Sequence, residues 1–392
     1  MTQVLTAFSL EPDNVEKAVE DILGQLDLEH KLLKNTVGLL FGYVDFINSG
    51  VVKALCAKLP FDVLGGTSQG LVLHQAAEEV MLTLMVLTSN EAEFSVALSR
   101  PLTPQNDTEA CIVELYRQAA ASLKGTPSLM FLFPPLSPAA LLGRTLDALN
   151  HESGGIPFFG AVAVDMATKI RTPLSIFNGE AWEDRIPLLL ISGIREFKFF
   201  LMALPRQSLL HQEAVITAAE DNRIIDLDKK PAIDYLRKVG LIQGEGSLDI
   251  LYAFPLEVNF CDGKPPRIFA IYNINPDGSI TCGGPVPVGS TVYIGSTNSG
   301  MVLETASHIT SLIKDEWVKH KDYGGLLIFS CFSRNMALAD PTDEMVAIQN
   351  HLKDFPLPYI FLYAGGEYCP LYTENGLTVN GFHQYTITAC LF

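Results

Sequence analysis

The chain has 392 residues, 48% of them hydrophobic, and a formal net charge of −17. That length has room for two or three domains, and the apolar content excludes a disordered chain. A field of that sign repels phosphate backbones and anionic lipid surfaces, so neither nucleic acid nor membrane is an expected partner.

The seven cysteines include no C-x-x-C pair, which fits reduced thiols better than a disulfide framework. The start of the chain has no basic region ahead of Glu11-Pro12, so no secretory signal is expected. Ile186–Ile194 and Ser128–Gly143 are too short or too Pro-broken to span a bilayer. The expected compartment is the cytoplasm.

Val15, Ala18, Val19, Ile22, Leu23 and Leu26 share one helical face, predicting an amphipathic helix from Asn14 to Leu26. A first unit follows: strand Val37–Phe41, a helix capped at Asn48 or Ser49 and running to Lys58, and a Pro-led strand from Leu59 to Leu64. That strand meets a turn at Gly65-Gly66-Thr67-Ser68-Gln69-Gly70. Val80–Leu87 and Glu93–Leu98 then read as a hairpin-like pair, and Asp107–Lys124 as a long helix.

The second unit has strand Ser128–Phe133, a helix started by Ser137-Pro138 and the Pro-led strand Ile156–Val162. A tight turn at Asn178-Gly179 precedes strands Ile186–Ser192 and Phe197–Ala203. Between Gln212 and Lys321 the pattern changes. Ala214–Thr217 with Arg223–Asp226 predicts a hairpin, and Pro231–Val239 a short helix. Asp249–Phe254, Arg267–Asn273, Ser279–Thr281 and Thr291–Gly295 alternate as strands, with a turn at Asn275-Pro276-Asp277-Gly278 and a long helix at Met301–Lys319.

The third unit repeats the grammar. It has strand Leu326–Phe329, the Asp340-Pro341 helix start, the strand led by Pro358, a Gly365-Gly366-Glu367 turn, an Asn375-Gly376 turn and a closing strand His383–Leu391. The expected fold is therefore mixed α/β (α+β): repeated βαβ-like units forming mixed sheets flanked by helices, with a β-rich insertion in the C-terminal half. The division is 1–205 (two units) and 206–392, the latter holding the β-rich segment 212–296, the long helix and the third unit at 325–392; Pro205–Ser208 is the boundary.

Several blocks resemble the FIST-domain family, in its N-terminal and C-terminal segments. Asn222 to Ala232 is similar to the opening pattern of the C-terminal segment, and Phe329-Ser330-Cys331-Phe332-Ser333-Arg334 to its F-S-C-x-x-R block. Gly366-Glu367 and Phe382-His383-Gln384-Tyr385-Thr386 resemble its G-E-I and R-F-H-N-Y-T blocks, and Gly65–Gly70 its G-C-T-S-A-G turn. Here Gly381 stands for Arg, Gln384 for Asn and Tyr368-Cys369 for Ile-Gly. The resemblance implies an intracellular sensory module that binds a small ligand and signals to a partner such as a histidine kinase or a cyclic-dinucleotide enzyme. It also allows a haem-based nitric oxide sensor, with His383 the ligand.

If the third unit is a βαβ element, Cys331 and Arg334 follow its first strand and Glu367 its second, at the same edge. The predicted ligand site is Cys331, Arg334, Gly365, Gly366, Glu367, His383 and Tyr385, with Thr67 and Ser68 from the first unit. A guanidinium beside a carboxylate and an imidazole suits a small carboxylate or amino acid. The competing structural reading has Arg334 and Glu367 pairing to fix a turn. Cys331 among apolar neighbours is expected to be inert unless Arg334 is near. Gly66-x-Ser68-x-Gly70 also fits a nucleophile elbow, which would need a helix after it; a serine hydrolase is one alternative, and a scaffold or adaptor without ligand another. No resident cofactor is assigned by the residues, and no enzyme activity is expected.

Overall fold

The computed structural model describes residues 2–103, 107–135, 139–165, 173–194, 197–203, 212–242, 254–263, 266–372 and 378–392. The Ser137-Pro138 helix start, the Pro205–Ser208 boundary, the Asn375-Gly376 turn and all of Asp249–Phe254 except Phe254 lie outside these residues.

The fold is mixed α/β, with four sheets among the described residues. The first runs Gln3–Ser9, Leu82–Ser89, Asn35–Gly42, Asp62–Thr67, Ser175–Phe177, Glu180–Trp182. The second runs Glu93–Leu98, Pro187–Ser192, Pro127–Leu132, Phe158–Ala161, Glu367–Tyr372, Thr378–His383. The third runs Lys198–Met202, Ile387–Leu391, Leu326–Cys331, Tyr359–Ala364, Leu71–Val72, Ala77–Glu78. These three share one plan: the third and fourth strands are parallel and every other neighbour is antiparallel.

In each sheet the last two strands come from elsewhere in the chain. Ser175–Trp182, between the strands of the second sheet, completes the first; Glu367–His383, between those of the third, completes the second; Leu71–Glu78, between those of the first, completes the third. The exchange closes on itself. At its centre Val164 N–H donates to Thr67 O at 3.0 Å, Gly365 N–H to Val162 O at 2.9 Å, and Ser68 Oγ–H to Tyr363 O at 2.8 Å, one contact from each unit to the next.

Period-two alternation explains why these strands read as continuous apolar runs. Leu39, Phe41, Phe131, Leu189, Leu327 and Phe329 point into a central core shared by all three sheets. Their neighbours point outward: Leu40 and Val63 onto helix Val15–Leu26, Met130 and Leu132 onto Thr108–Ser122, and Leu326 and Ile328 onto Ser299–Lys319. On the central axis Phe41, Phe133 and Phe329 form a triangle with ring centroids 5.0, 6.3 and 6.3 Å apart.

The fourth sheet holds the β-rich segment, in the order Arg267–Phe269, Leu256–Asn259, Thr291–Ile294, Ala214–Glu220, Arg223–Leu227, Ile280–Cys282, Ile271–Ile274, with Lys230–Pro231 beside Arg223–Leu227. It packs on helix Ala232–Lys238 around its own core.

Four local expectations are corrected. Leu82–Ser89 and Glu93–Leu98 are no hairpin, because they enter different sheets. The helix expected from a cap at Asn48 or Ser49 to Lys58 is the shorter Val51–Cys56, entered through Gly50, whose φ is 88°, and a separate turn of helix, Asp45–Asn48, precedes it. The Asp340-Pro341 start is displaced: Asp340 Oδ1 accepts from Thr342 N–H and Oγ1–H, and the helix begins at Asp343. The closing strand His383–Leu391 is divided: His383 ends a strand of the second sheet, Ile387 opens one in the third, and Tyr385 between them has φ of 57°.

Candidate functional site

The parallel pair Leu326–Cys331 and Tyr359–Ala364 delivers two loops to one end of the third sheet. The first loop winds into the short helix Phe332–Asn335, which carries Arg334. The second turns through Gly365 and Gly366 into Glu367, the first residue of the strand pair lent to the second sheet. Val162 ties that turn down, accepting from Gly365 N–H and donating to Gly366 O, both at 2.9 Å. Opposite Glu367 in the register stands His383.

Arg334 is fully buried and its partner is Glu344, not Glu367. Nη2 donates to Glu344 Oε1 at 2.7 Å, to Thr305 Oγ1 at 2.9 Å and to Val302 O at 3.1 Å, while Nε donates to Ser330 Oγ at 3.1 Å. Ser330 Oγ–H donates in turn to Glu344 Oε2 at 3.0 Å. Nη1 is buried without a partner. Ser330 and Cys331 are consecutive residues of one strand and face opposite ways. The Arg334 network therefore lies on the helix side of the sheet, and Cys331 on the side of the central core.

Glu367 is also fully buried. Its Oε2 accepts from Thr386 Oγ1–H at 2.7 Å, and its Oε1 is buried without a partner. Loss of hydration holds the carboxyl well above 4.5, against the opposing pull of Thr386, of the Arg334 charge and of the adjacent Cys331 thiol. Burial, and then the Glu367 charge, push the neighbouring Cys331 thiol up to about 12, so it is no ready nucleophile. Cys331 N–H donates to Thr386 O at 2.9 Å, so Thr386 touches both groups.

His383 is buried, with Nε2 at 3.0 Å from Cys369 O. Burial, with a smaller contribution from Arg267, lowers its pKa to about 4. A neutral imidazole whose Nε2 donates to a carbonyl has no free Nε2 lone pair for iron. The ring also lies against Gly381, where a Cβ would stand 2.6 Å from Nε2. The space where the family's arginine would begin is filled by the imidazole, and the residues present do not fit a haem on His383. Among the described residues no group of three or more His, Cys, Asp or Glu could hold a metal ion.

Tyr385 packs in a small cluster with Ile268 and Ala270 of the β-rich segment. Thr67 and Ser68 sit apart, at the central ring of contacts. Thr67 Oγ1 accepts from Leu174 N–H at 3.0 Å, and Ser68 is 2% exposed with its hydroxyl donated to Tyr363 O. Strand Leu71–Val72, not a helix, follows the Gly-rich turn. The structure thus brings together Cys331, Glu367, His383 and Tyr385, with Arg334 across the strand from Cys331 on the helix side. Sequence reasoning missed Glu344, Thr305 and Tyr272. A carboxylate in the first turn of the helix after Arg334 was the only available signal for any of them.

The two buried titratable groups set opposite pH limbs. In the unfolded chain His383 takes up a proton near 6.5 and in the folded chain only near 4, so its contribution is intact above 6.5 and lost as pH falls through about 4. That limb amounts to about 3 kcal/mol at its full extent. Glu367 ionises near 4.5 when unfolded and well above that when folded, so its contribution is intact below 4.5 and lost as pH rises through the folded value. Glu367→Gln, which mimics the protonated acid, should raise the melting temperature at pH 8 and leave it nearly unchanged at pH 5. An equal drop at both pH values would mean an ionised, paired carboxylate.

Two family models match the chain: the FIST N domain over residues 36–230 and the FIST C domain over residues 232–370. Their junction falls inside the fourth sheet, between strand Lys230–Pro231 and helix Ala232–Lys238. No curated protein matches the chain. FIST domains are sensory signal-transduction domains. All seven cysteines are free thiols, and among the described residues no helix is long and apolar enough to cross a membrane. The chain belongs to the FIST family and carries both its N and its C domain.

Proposed function

We propose that this chain is a cytoplasmic sensor that binds a small carboxylate or amino acid at the end of the third sheet and reports it to a signalling partner. The observation that carries this reading is that two buried polar atoms at the end of the third sheet, Arg334 Nη1 and Glu367 Oε1, are left unsatisfied, while the Arg334 charge still acts on the Glu367 carboxyl. A settled interior pairs nearly all such atoms. Both fit a carboxylate-bearing guest: a guanidinium N–H donates to a carboxylate oxygen, and a protonated Glu367 adds an O–H donor. On binding an amino acid, Glu367 would ionise and accept from the guest's ammonium group. The partner, by family, is a protein of the histidine-kinase or cyclic-dinucleotide class. Non-catalytic binding is favoured by Ser68, whose hydroxyl is already engaged, and by the raised Cys331 thiol.

Thermal-shift measurements on the whole chain against amino acids and small carboxylates test the reading. A true ligand at 100 times its Kd should add about 2.7 kcal/mol of stability. The same compound should shift Glu367→Gln far less. A panel with no stabilising compound, or an equal shift in Glu367→Gln, would sink the proposal.

A further inference from the structure

The fourth sheet covers the end of the third through the packing of Tyr385 on Ile268 and Ala270 and through the side chain of Gln384. Gln384 is 1% exposed although it lies in the link between two sheets. Its Oε1 accepts from Ala270 N–H at 2.8 Å and its Nε2 donates to the Tyr272 hydroxyl. Gly283, whose N–H donates to Ala270 O at 3.0 Å, leaves the space the amide fills: a Cβ there would stand 1.7 Å from Gln384 Oε1. Two residues on, Thr386 holds both site groups, Glu367 through its hydroxyl and Cys331 through its carbonyl. Tyr385 between them has φ of 57°, a backbone region that a bulky residue occupies only when its surroundings hold it there.

Tyr272 straddles the boundary. The residue is 46% exposed, yet loss of hydration at its hydroxyl end raises its pKa, and Cys331 and Glu367 lie close enough to raise it further when ionised. It is thus in contact with both the solvent and the environment of the buried acid.

We propose that Tyr272 and Gln384 form a gate over the Glu367–Cys331 site, shut while the β-rich sheet is docked on Gln384 and opened when that sheet shifts. This rests on the ligand-site reading above and adds to it the route of access and the moving part. A guest reaching Glu367 must part the Tyr272–Gln384 contact. Because Gln384, Tyr385 and Thr386 are consecutive, a change at Glu367 is passed to Ala270 and so to the β-rich sheet. That sheet is then the element whose position reports occupancy.

Cys331 is a built-in reporter for the gate, and no ligand is needed to read it. The full chain is exposed to a small neutral alkylating agent under native conditions, and modification of each cysteine is followed by mass spectrometry. Cys369 and Cys390, both fully buried in the sheets, serve as internal references. Tyr272→Phe keeps the ring and removes the hydroxyl, and Gln384→Ala removes the amide. In each, labelling of Cys331 should accelerate about tenfold or more while the two reference thiols stay at wild-type rates. An unchanged Cys331 rate in either variant overturns the gate. So does acceleration of all three thiols together, which would mean that these contacts hold the whole fold. Faster Cys331 labelling with no thermal shift from any compound would keep the gate and remove the ligand reading; the converse would do the reverse.

Discussion

Arg334→Met should cost about 3–5 kcal/mol of stability, as should Glu344→Leu, because each leaves its partner's charge buried without compensation. The pair is fully buried, and Arg334 places four donor contacts on Glu344, Thr305, Val302 and Ser330. The double variant Arg334→Met/Glu344→Leu replaces the ion pair by apolar groups of similar volume and should be far less destabilised than the sum of the singles. Urea unfolding of the four chains closes the cycle, with a favourable coupling of at least about 2 kcal/mol expected between residues in one buried network. Additive losses would show that the two side chains act separately and that Arg334 is held for something other than Glu344. The cycle also bears on binding. If Nη1 greets a guest, the stable double variant will have lost its thermal shift while keeping its fold.

Residues 1–205 and 206–392, produced as separate chains, should each lose cooperative unfolding altogether. Without the second half, strand Phe158–Ala161 has no neighbour on one side, since Glu367–Tyr372 pairs there. Without the first half, Tyr359–Ala364 loses Leu71–Val72, and Ile387–Leu391 loses Lys198–Met202. Both fragments would expose apolar strand edges and half of the central core, the usual precursors of aggregation. Co-expression should recover a soluble one-to-one pair with a sharp transition. A sharp transition from either half alone would show that the exchanged strands are ornaments on two self-sufficient domains.

Much of the architecture was legible because single-sequence signals are local. Side-chain caps at Asn14, Asp107 and Asn298 start helices at or within three residues of where periodicity places them. Alternation marks Leu326–Cys331 and Tyr359–Ala364 as strands. It does not say which sheet a strand joins, and that is where expectation failed. Leu82–Ser89 and Glu93–Leu98 are adjacent in sequence yet pair with Asn35–Gly42 and Pro187–Ser192. The same limit applies to the site. Cys331, Glu367 and His383 could be placed near one another because two parallel strands carry their loops to one edge. Glu344 could not be chosen over Glu367 as the partner of Arg334, since that depends on which face of the strand the guanidinium crosses. Tyr272 had no signal at all, because it arrives from a separate sheet.

The phenylalanine triangle at the axis has a consequence for how such a body can be assembled. Each unit lends its strand pair onward and receives one, so the ring has no first or last member. Three separate copies of a single unit, each swapping that pair with its neighbour, would form the same prism as a domain-swapped homotrimer with C3 symmetry. Joined in one polypeptide, the units are free to diverge, and only the third holds Glu367, His383 and Arg334 at its strand ends. The covalent link lets three equivalent corners become unlike, with buried ionisable groups gathered at one of them.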